Sequence, residues 1–356
     1  MMELIQNNAT GKRKRDCHGT GTHGNDDDDD DDNHVFGGKA SPGKVAKNLS
    51  ENWLDFYNFN LGDKIKDKDF GSSRTIDVDY SKLKDLKWIS IEYCPTDTLP
   101  AELFALCPKL QHLMMCKEYY RIPGSWLSNI HLTMVTFLNI SDMQSKIGSD
   151  IESNEEILTH GFLHLEKLAF TGCDIRSIDS WIYQLRNLDT LEISNAVLEM
   201  IPPEITELQN LVDLNLSKNR IRSIPNELFS GLTSLKALDL SCNEISILDR
   251  SVSNLQSLEF LNLCQNKLQR VPSSLGRMLS LVDLTLLGNE LQCVPIEIGK
   301  LTSLEYLSLT VKHSCVIPYQ VWILHSSKQQ CDIILDVLDK TGKKIIECKR
   351  LVRRNR

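Results

Sequence analysis

Hydrophobic positions along this chain follow a strict frame. From residue 211 the sequence reads LVDLNLSKNRIRSIPNELFSGLTSLKALDLSCNEISIL. Leu211, Leu214, Leu216, Asn219, Ile221 and Ile224 recur there as Leu235, Leu238, Leu240, Asn243, Ile245 and Leu248. The frame is L-x-x-L-x-L-x-x-N-x-L, followed by an apolar–proline step. Its leading leucines stand at Leu165, Leu188, Leu211, Leu235, Leu258, Leu281 and Leu304, spaced by 23, 23, 24, 23, 23 and 23 residues. A looser version starts at Leu86, Leu110 and Leu132, which makes ten units. The step from Leu132 to Leu165 is 33 residues. Its surplus lies in the polar stretch SDMQSKIGSDIESNEE and predicts a loop insertion over 141–156.

In L-x-L the two leucines share one face of a strand and the residue between them points to the other. Each unit therefore has one apolar face and cannot fold alone, and stacked units bury a continuous core. Pro100, Pro123, Pro202, Pro225, Pro272, Pro295 and Pro318 occupy one column, where proline fixes φ as the backbone leaves the strand side. Asn219, Asn243, Asn266 and Asn289 form another. An amide there supplies donors and an acceptor to a buried turn, a structural role. The same column is read as Cys94, Glu118, Ile140, Cys173 and Ala196 in earlier units, whose turns are expected to be less regular.

This frame resembles the leucine-rich repeat over residues 86–327, and the 23-residue length with its Ile-Pro step is similar to the intracellular class of Ras-suppressor-type and Scribble-type repeats. The resemblance implies an α/β fold, a curved solenoid with parallel strands on the concave face and short helices or irregular segments on the convex face. It implies a non-catalytic binding scaffold or adaptor that uses the concave face. Two alternatives remain open at this point. One is a regulatory or substrate-recruiting subunit of a phosphatase or ubiquitin-ligase complex. The other is a nuclear, nucleic-acid- or chromatin-associated factor that uses its basic ends.

Flanking regions differ in character. Residues 1–48 are rich in Gly, Asn, Asp and Lys and lack the apolar content to offset the entropy of ordering, so a disordered charged arm is expected. LSENWLDFYNFNL, residues 49–61, predicts a helix, with Ser50 as N-cap and Trp53, Leu54, Tyr57 and Leu61 on one face. TIDVDY alternates as a short strand would, and 49–85 reads as an N-terminal cap. Residues 328–356 read as a C-terminal cap and basic tail.

If the frame residues hold the solenoid, function falls to the outward strand positions. In the first units these are Trp88-x-Ser90-x-Glu92, His112-x-Met114-x-Cys116, Met134-x-Thr136-x-Leu138 and Lys167-x-Ala169-x-Thr171. Later units place Glu192, Asp213, Asp239 and Asp283 there as an acidic set, with Asn215 and Asn262 beside them. Trp88, Phe260 and Tyr306 are aromatic. Aromatic anchors beside charge suit a protein interface, so these nine residues are the expected partner-binding set, for a partner with a basic or mixed surface. The alternative is a solvated face, because DLNLS and LDLS are common fillers of the frame. An acidic lining opposes nucleic acid, whose phosphates require cations.

Net charge is −8, but it is segregated. Lys12, Arg13, Lys14 and Arg15 resemble a nuclear-import signal and precede the acidic run Asp26 to Asp32. The last 17 residues carry eight Lys and Arg side chains. Nucleic acid is therefore expected only through the basic ends. The 11 cysteines include no C-x-x-C pair. The N-terminus has no secretory h-region and no apolar run reaches the length of a membrane span. Together these predict an intracellular chain, cytoplasmic or nuclear, with reduced thiols. No cofactor is expected and no metal site is assigned. His160 and His164 lack a third ligand, SPGKVAK lacks the glycines of a phosphate cradle, and no nucleophile–base pair appears. Oligomeric state is open.

Overall fold

The computed structural model describes residues 53–57, 84–92, 106–116, 135–141, 162, 164–312, 314–326, 331–338 and 344–346. The chain divides into two units, residues 1–39 and 40–356, and every described residue lies in the second. The basic stretch 12–15, the strand expected at 75–80 and nearly all of the insertion at 141–156 fall outside the described residues.

One sheet runs through the second unit, and its strands lie in chain order from β1 to β13. They are β1 (Trp53–Tyr57), β2 (Trp88–Glu92), β3 (His112–Cys116), β4 (Phe137–Ser141), β5 (Lys167–Thr171), β6 (Thr190–Ser194), β7 (Asp213–Asn215), β8 (Ala237–Asp239), β9 (Phe260–Asn262), β10 (Asp283–Leu291), β11 (Tyr306–Lys312), β12 (Asp332–Leu338) and β13 (Lys344–Ile346). Every neighbouring pair from β1 to β12 is parallel, and β13 returns antiparallel to β12. Parallel order with one strand per unit is what a right-handed coil of equal repeats produces, since each turn must return to the same side before the next strand begins. The solenoid is open, and no helix among the described residues is long and apolar enough to cross a membrane.

The leucine frame is the core. Leu188, Leu191, Leu211, Leu214, Leu216, Leu235, Leu240, Leu258 and Leu281 are all 0 % exposed. Burying each such side chain contributes about 1.5–3 kcal/mol. From β5 onward the opposite side of each turn carries a short helix, 3-10 at Ser180–Gln184, Pro203–Glu207, Arg250–Asn254, Ser273–Arg277 and Ile296–Lys300, with α1 (Asn226–Gly231) and α2 (Tyr319–Ser326). Pro202, Pro225, Pro272 and Pro295 stand at the N-caps of their segments with extended backbones, φ between −70° and −63°. The proline column thus starts the return path, as its fixed φ and missing donor suit.

The asparagine column is a continuous ladder. The Asn243 carboxamide oxygen accepts from Ile221 N–H at 3.0 Å, while its amide donates to Leu216 O at 2.9 Å in the preceding turn and to Leu240 O at 3.0 Å in its own. Asn219, Asn266 and Asn289 repeat this pattern, each 7 % exposed or less. Cys173 fills the same column with a thiol, and its Sγ points at Ile140 O at 3.5 Å, the carbonyl equivalent to the one Asn219 reaches on Ile193. The residue just before this column is left-handed in six successive units: Gly172, Asn195, Lys218, Cys242, Gln265 and Gly288, with φ from 52° to 72°.

Two sequence readings are corrected. Within the helix expected over 49–61, residues 53–57 form strand β1, with Leu54 and Phe56 in register with Ile89 and Ile91. In the third unit the leading position is Val135, not Leu132. β4 pairs Phe137 with His112 and Asn139 with Met114, and Val135, Leu138 and Ile140 are 0 %, 2 % and 1 % exposed. The outward residues of that unit are therefore Phe137, Asn139 and Ser141, replacing Met134, Thr136 and Leu138, and Ile140 leaves the asparagine column for the core.

A candidate protein-binding face

Two outward columns run in register across the sheet. The first holds Trp88, His112, Phe137, Lys167, Thr190, Asp213, Ala237, Phe260, Asp283, Tyr306 and Asp332 in continuous register. The second holds Ser90, Met114, Asn139, Ala169, Glu192, Asn215, Asp239, Asn262, Thr285, Ser308 and Ile334. Eleven strands at about 4.8 Å make a face roughly 50 Å long.

The nine expected binding residues divide in two. Asn215, Asp239 and Asn262 turn their side-chain oxygens onto their own backbone two residues on, at Ser217, Ser241 and Cys264 N–H, at 3.1, 2.9 and 3.1 Å. An Asx oxygen that takes this N–H removes it from the sheet ladder, and β7, β8 and β9 each stop at three residues. Asp239 also accepts from Asn262 Nδ2 at 3.2 Å and is 7 % exposed. These three residues shape the face. Glu192, Asp213, Asp283, Trp88 and Tyr306 are half-buried and Phe260 is exposed, so these six are what the face presents. Glu192 accepts from Ser194 Oγ at 2.7 Å and Asp283 from Thr285 Oγ1 at 3.0 Å, bonds that orient each carboxylate along its strand.

The sequence columns missed two features. β12 adds Asp332 and Asp336 to the acidic end. The alternation in DIILDVL was its signal, hidden because the unit from Tyr306 to Asp332 spans 26 residues and not 23. At the other end, Trp88 stacks on His112 with ring centroids 3.9 Å apart and planes at 16°, and Phe137 tilts against His112 at 5.7 Å. Burial, and then Lys167, hold the His112 imidazole below its ordinary pKa, and its Nδ1 is shielded with no hydrogen-bond partner. Among the described residues of these two columns Lys167 is the one side chain that carries a fixed positive charge. Cys107 and Cys331 are buried thiols raised by desolvation to about 11 and about 12, so neither is poised as a nucleophile.

A family model described as leucine rich repeat matches residues 209–268, which hold Asn219, Asn243 and Asn266 of the asparagine ladder. The chain has the leucine-rich-repeat fold. Solved structures similar to it are repeat proteins of the same fold. An internalin from Listeria monocytogenes aligns with a TM-score of 0.52 at 17% identity, over 82% of this chain and 87% of that one. The plant peptide hormone receptor RGFR1, in complex with RGF2, aligns with a TM-score of 0.53 at 21% identity, over 72% of this chain. A TDR receptor aligns with a TM-score of 0.56 at 25% identity, over 73% of this chain. The leucine-rich-repeat chain spans 44% of each of these two receptor chains. No curated protein matches it. Leucine-rich-repeat proteins are typically interaction modules, and this fold supplies an extended face for that use.

Proposed function

We propose that this protein is a non-catalytic scaffold or adaptor that binds a protein partner along the concave face of its repeats, at its acidic half from β6 to β12. The observation that carries this reading is the charge of the outward columns. Glu192, Asp213, Asp283 and Asp332 face outward with Phe260 and Tyr306 among them, and the one lysine of the two columns lies beyond them at β5. Carboxylates gathered on one face raise the local concentration of a cationic partner and steer its approach, while aromatic side chains supply the area that holds it. A partner with a basic, partly apolar surface fits. The 23-residue repeat class and an intracellular setting belong to the same reading.

Affinity co-purification with mass spectrometry tests it, comparing the intact chain with Glu192→Lys/Asp213→Lys/Asp283→Lys. Asp239 is left in place because its bonds to Ser241 and Asn262 make it part of the fold. The variant must first match the parent in circular dichroism and melting. Loss of a specific partner from the variant alone supports the reading. Retention of every partner contradicts it.

A further inference from the structure

Asp283, Tyr306 and Asp332 stand in one register row across β10, β11 and β12. Their backbones are one strand spacing apart, about 4.8 Å, so a tyrosine ring is flanked by carboxylates whose backbones are roughly 10 Å from each other. A buried neighbour registers the field of this row. The Cys331 thiol is pushed up to about 12 by burial first, and then by Asp332, Asp283 and Glu305 together. A second observation comes from Ser308. It lies two residues beyond Tyr306 on the same face, between Thr285 and Ile334 in register, and is 0 % exposed. Its Oγ has no hydrogen-bond partner. Ser308 therefore closes the floor of the row, and the groups a partner meets above it are the Tyr306 ring and the flanking carboxylates.

We propose that this row is a subsite for one arginine side chain of the basic partner, its guanidinium laid on the Tyr306 ring with N–H groups directed at Asp283 and Asp332. The assignment rests on the function proposed above and names the chemistry the partner presents there. Arginine fits better than lysine for a geometric reason. A compact ammonium serves one carboxylate at a time across this spacing, whereas a planar guanidinium stacks on the ring and carries five donors around its edge.

The probes are two labelled peptides of equal charge, eight Gly-Arg repeats and eight Gly-Lys repeats, titrated against the full chain by fluorescence anisotropy. The arginine peptide is expected to bind about fivefold tighter than the lysine peptide, the size of a single stacking contact at a partly exposed ring. Tyr306→Leu removes that preference while lysine-peptide binding persists, and Tyr306→Phe, which keeps the ring, retains it. Asp332→Asn weakens the arginine peptide. Equal affinities for the two peptides, or a preference that survives Tyr306→Leu, overturns the subsite. A preference that emerges only after Arg350, Arg353 and Arg354 are changed to Ser assigns the row to the chain's own basic segment and overturns the partner assignment. Failure of the subsite is distinct from failure of the function. A partner lost in the triple lysine variant, with no peptide preference in the parent, removes the subsite and leaves the binding face standing.

Discussion

At the scale of single residues, the molecule separates side chains that build the face from side chains that occupy it. Asn215, Asp239 and Asn262, whose side-chain oxygens take their own backbone N–H, close the ladder at three-residue strands, whereas Asn139, whose Oδ1 takes no such bond, and Ala169, Glu192, Thr285 and Ser308 stand on longer ones. His112 belongs to the building group. Trp88 stacks on it from β2, Phe137 tilts against it from β4, and Lys167 on β5 is the charged group that acts on it. Its folded pKa lies below the ordinary 6.5, so between the folded and unfolded values the unfolded chain binds more protons. Stability from this site is therefore complete above the unfolded pKa and falls as pH drops through it toward the folded value. Melting followed from pH 8 to pH 5 is expected to show this as a difference between parent and His112→Phe, with the parent losing more on acidification. Parallel melting curves would remove His112 from the pH response.

At the scale of elements, repeats are held as much by close backbone approach on the helical side as by leucines on the strand side. A Cβ on Gly276, in the 3-10 helix Ser273–Arg277, would stand 2.3 Å from the Glu297 carbonyl oxygen, and one on Gly299 would meet Gln320 at 2.6 Å. Gly276→Ala therefore pushes adjacent turns apart at a contact backbone cannot vacate. The expected loss is about 1–3 kcal/mol in urea unfolding, and a variant as stable as the parent would show that the turns are loosely seated. Element scale is also where the sequence was partly legible. The frame from Leu165 onward was unambiguous because six spacings agreed within one residue. LTMVTFLNI was not, since Leu132-x-x-Val135-x-Phe137 and Val135-x-x-Leu138-x-Ile140 both satisfy the frame, three residues apart. Pairing with β3 selects the second. WLDFY fits both a helical face and a strand, because a five-residue apolar stretch carries too little periodicity to separate them. Its parallel pairing with β2 decides it.

At the scale of the whole solenoid, stability is close to a sum of repeat and interface contributions, and both ends of such an array need closure. β13 supplies one closure, turning antiparallel on β12 and covering an edge that would otherwise template pairing with another chain. The face divides along its length. Aromatic rings are packed on one another from β2 to β4, a single lysine follows at β5, and acidic residues interleaved with Phe260 and Tyr306 run from β6 to β12. The candidate residues were legible in sequence because period-two alternation places them. Their division into shaping and presenting groups was not, because it depends on which carboxylate or amide bonds its own backbone.

Hydroxyl-radical footprinting of the protein with and without its captured partner tests the binding face most directly, since it reads side-chain exposure residue by residue. Phe260 and Tyr306 lie on the outward strand columns, while Met200, Leu279 and Tyr319 are exposed off the strands at 62 %, 53 % and 72 %. The account predicts that the partner protects Phe260 and Tyr306 and leaves Met200, Leu279 and Tyr319 as reactive as before. Protection of Met200, Leu279 or Tyr319 with Phe260 and Tyr306 unchanged would contradict it and place the interface elsewhere on the solenoid.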